Sequence, residues 1–138
     1  MRLLALHALP VLLVLEIAGN AVLAGWALLA GFRKRTTMSA AFWTVLLLVV
    51  MLVVVQVGAG ILLAVGGSRP RVSLHFLYGI LVAAGTALQF AMRPSGGLRR
   101  TVLRDLAASG REPRALALLC LTQAALLARA YTTGAFGR

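Results

Sequence analysis

Two histidines, one glutamate and one internal arginine are the residues of this chain with most chemistry to offer. Each falls within an apolar run, where charge and unshared lone pairs are costly to place. His7 lies near the start of the first run and His75 near the start of the third. From His75, small residues recur at every fourth position: Gly79, Ala83, Ala87 and Ala91. Gln56, Gly60 and Ala64 repeat that pattern in the second run. Such stripes allow helices to approach closely, so His75 is expected to point into a bundle and the two stripes to face each other. Two inward imidazoles beside Gly60 and Gly79 could ligate a haem iron axially, because small residues leave room for a flat porphyrin. The alternative is plain hydrogen bonding, with His7 at the membrane interface and His75 joined to Gln56 or Tyr78 as glue between helices.

Glu16 falls near the middle of the first run and Arg129 toward the end of the fourth. An acid inside a membrane usually has a partner, and Arg129 is the internal cation available. Asn20 follows Glu16 by one turn, and Gln56 is the polar residue of the second run. The set reads either as a proton or quinol site or as a buried ion pair that fixes register. On an ideal helix of about 3.6 residues per turn, His7 and Glu16 point in opposite directions, so they serve one site only if Pro10 bends the helix. Gln89 and Gln123 read as further glue between helices. The single cysteine, Cys120, reads as a small apolar filler. There is no Cys-x-x-Cys spacing, nucleotide loop, nucleophile–base pair or carboxylate pair.

The elements that must carry these residues are membrane helices. A span needs about 20 apolar residues. Four runs qualify, at about 3–30, 40–65, 72–92 and 115–131, separated by turn or charge signals such as Gly31-Phe32-Arg33-Lys34-Arg35 and Arg93-Pro94-Ser95-Gly96-Gly97. Backbone amides cannot stay unpaired in lipid, and the alternation of a barrel is absent, so the expected fold is all-α, a four-helix transmembrane bundle in one domain. The first run resembles a signal peptide at Leu3–Leu15, but it continues apolar through Ala30, and a retained helix is the better reading. No residue pattern is seen to match between the two halves of the chain.

Of 138 residues, 61% are hydrophobic and 12% charged, outside the range of soluble domains. Fourteen basic residues against three acidic ones give a net charge of +11. Because the basic residues lie between apolar runs, anionic lipid headgroups are their expected partner, and nucleic acid is not. Arg33, Lys34 and Arg35 lie in the first loop, and Arg93, Arg99, Arg100, Arg104, Arg111 and Arg114 in the third. These loops are therefore expected in the cytoplasm and both termini outside, which puts His7 and His75 in the same leaflet. Leu98–Ala108 reads as an amphipathic interfacial helix or as a solvated basic loop. Trp26 and Trp43 read as interface anchors. The arginine-over-lysine bias and abundant alanine suggest a GC-rich bacterial genome, and the expected location is the bacterial inner membrane.

The run Gln56-Val57-Gly58-Ala59-Gly60, a short turn, and then Val72-Ser73-Leu74-His75-Phe76-Leu77-Tyr78-Gly79 resembles the helix-turn-helix of the haem A synthase family. His7 matches the position of that family's first haem-ligating histidine, with Arg33-Lys34-Arg35 as its basic loop. The resemblance covers the first three helices. The charged residues that flank the family's first histidine have no counterpart among Leu3, Leu4, Ala5, Leu6 and Ala8. The resemblance therefore implies only a bis-histidine haem b site, with His7 and His75 as axial ligands. A cytochrome-like bundle of this size, passing electrons to or from a quinol or a partner subunit, would work beside a larger membrane complex. The alternatives are a non-catalytic accessory or assembly subunit, and a small transporter or ion pathway built on Glu16 and Arg129.

Overall fold

A computed structural model describes residues 7, 9–70 and 72–136. Its long helices are α1 (Pro10–Phe32), α2 (Ala40–Val65), α3 (Leu74–Ala91) and α5 (Glu112–Ala135). Between α3 and α5, a π-helical turn at Arg99–Leu103 leads into the short α4 (Arg104–Ala108). The described residues contain no strand. All four long helices are long and apolar enough to cross a membrane.

The helix boundaries follow from local chemistry. The first run is not one continuous helix: Leu9 is extended, with φ −70° and ψ 111°, and α1 starts at Pro10. A proline disfavours the helical region for the residue before it, yet fits a helix's first position because it has no N–H to satisfy. His7 is helical but sits ahead of this break. Leu3–Leu6 and Ala8, the rest of the expected start, lie outside the described residues. Ser39 caps α2 by accepting a hydrogen bond from the Phe42 backbone N–H at 3.4 Å. α5 starts at Glu112, earlier than the expected Ala115, because Pro113 fits its first turn.

α1 packs on α2 and α5, and α3 packs on the same two helices, so α1 and α3 stand diagonally across the bundle. One half of the core is closed by Leu23, Ala27, Phe42, Leu46 and Leu116. Toward the histidines a smaller cluster forms from Val53, Val82 and Leu127. Large apolar side chains such as Val14, Val22, Met51, Val54, Ile80 and Leu118 are exposed along the length of the helices. Apolar surface that extensive needs lipid against it, so the chain is a small multi-pass membrane protein.

At the end away from the histidines, Trp43 is buried rather than placed at an interface, and Trp26 remains partly exposed. The Arg99 guanidinium lies over the Trp43 ring, 5.0 Å from its centroid. Arg99 Nη2 also donates to both carboxylate oxygens of the fully buried Glu112, at 3.0 and 2.9 Å. The helical segment after α3 is thus tethered to α2 and α5 through one arginine side chain.

Candidate functional site

His7 and His75 meet at one end of the bundle. Their ring centroids are 5.9 Å apart and their planes cross at 81°. Each ring is fixed by a neighbouring helix. His7 Nδ1 lies 3.1 Å from the Gln56 carbonyl oxygen of α2, and His75 Nδ1 lies 2.9 Å from the Ala130 carbonyl oxygen of α5. A carbonyl oxygen can only accept, so in both rings Nδ1 carries the hydrogen, and in the neutral ring Nε2 then keeps its lone pair. Gln56 Nε2 donates back to the His7 carbonyl oxygen at 3.3 Å, which locks the first pairing from both sides.

Two glycines make these close approaches possible. A Cβ on Gly60 would stand 2.9 Å from His7 Cε1, and one on Gly134 would stand 2.8 Å from His75 Cε1. Both distances are shorter than carbon–carbon contacts allow. Gly79, expected to make room on α3, has open space where its Cβ would be. The Gln56–Gly60 stripe faces His7 and not the His75 stripe, and His75 bonds neither Gln56 nor Tyr78 but Ala130.

The chain does contain a matched pattern between its halves. In α1–α2 a histidine donates to the carbonyl of Gln56 and rests on Gly60, one turn further on. In α3–α5 a histidine donates to the carbonyl of Ala130 and rests on Gly134, again one turn further on. The visible signal was the shared spacing of Gln56 to Gly60 and Ala130 to Gly134. It is hidden because nothing in residue type marks a carbonyl partner, and because the fourth apolar run ends at about Tyr131 while α5 continues to Ala135.

A second polar group lies deeper. Gln89 Nε2 donates to Asn20 Oδ1 at 2.7 Å across the diagonal and lies 3.6 Å from Cys120 Sγ. Asn20 Nδ2 donates to the Glu16 carbonyl oxygen at 2.9 Å. Gln123 Nε2 donates to Thr86 Oγ1 at 2.9 Å and to the Val82 carbonyl at 3.1 Å. Glu16 is fully buried, and neither carboxylate oxygen has a hydrogen-bond partner among the described residues. Arg129 does not join it: its side chain is exposed, with the guanidinium 5.6 Å from the centroid of the Tyr78 ring. The structure therefore brings His7, His75, Gln56 and Gly60 together, and leaves Glu16 apart from Arg129 and from the histidines' ring contacts. The buried pair that does form is Arg99–Glu112, in a stretch read from sequence as loop.

The fold and these two polar groups define a small helical membrane protein with a paired-histidine end and a buried polar layer. No family model, known protein or solved structure matches the chain.

Proposed function

We propose that the protein is a membrane cytochrome-like subunit holding one haem b between His7 and His75. The observation that carries this reading is the pair of Nδ1-to-carbonyl hydrogen bonds, which leave both Nε2 atoms free to act as ligands. The donor set also fits. Among the described residues, no group of three or more His, Cys, Asp or Glu could hold a metal ion. Two imidazoles suit a metal that brings its equatorial ligands with it, as iron in a porphyrin does. Gly60 and Gly134 let the two rings lie close against α2 and α5, and the open space beside Gly79 lies one turn from His75.

Haem bound there would supply a one-electron couple suited to passing electrons to or from a quinol or a partner subunit. The chain's own residues do the positioning. The Gln56 and Ala130 carbonyls set the tautomer and orientation of the rings. Val53, Val82 and Leu127 keep the floor of the site apolar. In this reading the chain sits in a bacterial inner membrane, with both termini and the histidine end outside. Its arginine-rich loops lie on anionic headgroups, and its exposed apolar faces meet lipid and a larger membrane complex.

The test is the reduced-minus-oxidised optical spectrum of protein purified in detergent after expression with haem supplied. A sharp α-band in the wild type that is lost in His75→Ala and in His7→Ala is expected. A flat wild-type spectrum refutes the proposal.

A further inference from the structure

The buried acceptor oxygens around Glu16 concern a different part of the bundle from the histidines. Glu16 Oε1 and Oε2, Gln89 Oε1 and Gln123 Oε1 are all buried, and none has a donor among the described residues. They come from three helices. Their levels follow from the hydrogen bonds that tie those helices: Asn20, Gln89 and Cys120 share one layer. One turn from these toward the histidines, α1 presents Glu16, α3 presents Gly85 and Thr86, and α5 presents Gln123. Gln123 is fixed there by its two donated bonds, and its Oε1 occupies the space where a Cβ on Gly85 would stand. The layer is closed on one side by Leu23, Leu46 and Leu116 and on the other by Val53, Val82 and Leu127.

Every unsatisfied atom in this layer is an oxygen acceptor, and one of the groups is a carboxylate at bilayer depth. An unpaired charge there is far more costly than on the surface. What such a set accepts is a small, hard positive charge, since oxygen ligands suit ions such as sodium and a carboxylate suits a proton. We propose that Glu16, with Gln123 in its own layer and Gln89 one turn away, forms an occluded site for one monovalent cation, a proton or a sodium ion. No competing charge faces the carboxylate from its neighbours. α2 carries no acidic or basic side chain, and α3 offers His75 and Tyr78 only at the histidine end; α5 offers Cys120 one turn away, the exposed Arg129 and Tyr131 toward the histidine end, and the exposed Arg114 and the Arg99-paired Glu112 at the far end. The site does not depend on haem.

The experiment is thermal unfolding of detergent-solubilised wild type and Glu16→Gln in sodium chloride and in choline chloride, each over a range of pH. Sodium binding raises the wild-type midpoint in sodium chloride at constant pH, by about 5–10 °C at saturation. Proton binding raises it toward acid pH, equally in both salts. In either case Glu16→Gln, which removes the charge and keeps the shape, abolishes the dependence. The proposal is overturned if the wild-type midpoint ignores both variables, or if Glu16→Gln keeps the wild-type response. Repeating the measurement in His75→Ala separates the two sites, since loss of the histidine leaves the Glu16 response in place.

Discussion

Adding one methyl group at Gly134 is the sharpest probe of the histidine end. In Gly134→Ala the new Cβ would stand 2.8 Å from His75 Cε1 and 2.9 Å from Nδ1. Carbon contacts settle at about 3.5–4.0 Å, so the ring must retreat by about 0.7 Å or the helices must part. That retreat acts directly on the 2.9 Å bond to the Ala130 carbonyl, because the same ring edge makes both contacts. Overpacking of this kind costs about 1–3 kcal/mol, and a weakened hydrogen bond adds about 1 kcal/mol. Alanine returns at most about 1 kcal/mol of helix propensity, and less here because Gly134 is next to the end of α5. The net expectation is a loss of about 1–3 kcal/mol. Gly60→Ala meets His7 at 2.9 Å but lies within α2, so its net loss is smaller, about 0–2 kcal/mol. Gly58 and Gly79 have open space at the same test, and their alanine variants should be neutral or more stable by up to about 1 kcal/mol. Denaturant-induced unfolding of the four variants in one detergent gives the ranking. If Gly134→Ala is as stable as Gly79→Ala, the His75 ring does not rest on α5, and the tautomer assignment falls with it.

Two further outcomes follow from the ion pairs. Arg99→Ala strands the fully buried Glu112 carboxylate and should cost about 3–5 kcal/mol. Arg99→Ala/Glu112→Gln should be markedly less damaging than Arg99→Ala alone, and additive unfolding free energies would deny the coupling. Arg129→Ala should change stability by no more than about 0.5 kcal/mol, because the side chain is exposed and has no carboxylate partner among the described residues. A loss of several kcal/mol in the same unfolding assay would mean that Arg129 reaches Glu16 in the membrane.

The four spans were legible because lipid imposes one strong rule, that backbone groups be satisfied within each apolar segment. That rule fixes where the helices are but not which helix turns toward which. The Gln56–Gly60 stripe was correctly a close-packing face, yet its partner is His7, just ahead of α1, because His75 on α3 turns toward α5 at that level. Glu16 invited Arg129 as its partner only because both are charged and both lie in apolar runs. Burial on a particular face decides such pairings, and two residues on separate helices carry no sequence signal for it. Arg99 and Glu112 were missed for the converse reason. In a loop dense with arginine, nothing distinguishes the one guanidinium that folds back over Trp43 from those that stay outside.

The repeated histidine–carbonyl–glycine contact explains why the bundle can hold two polar levels without losing its packing. Each histidine is pinned within its own hairpin, to α2 in the first half and to α5 in the second, so neither half depends on the other to satisfy Nδ1. The halves are joined by packing of α1 on α5 and of α2 on α3, and two polar contacts also cross the diagonal. His7 meets His75 at one level, and Asn20 bonds Gln89 at the next polar level. Both diagonal contacts pair like groups, two imidazoles at one level and two amides at the other. At the level of Glu16, α3 presents Gly85 and Thr86 and no carboxylate. Glu16 is thus a single acidic group in a layer of acceptors, and removing it by Glu16→Gln tests the layer while leaving the histidine end intact.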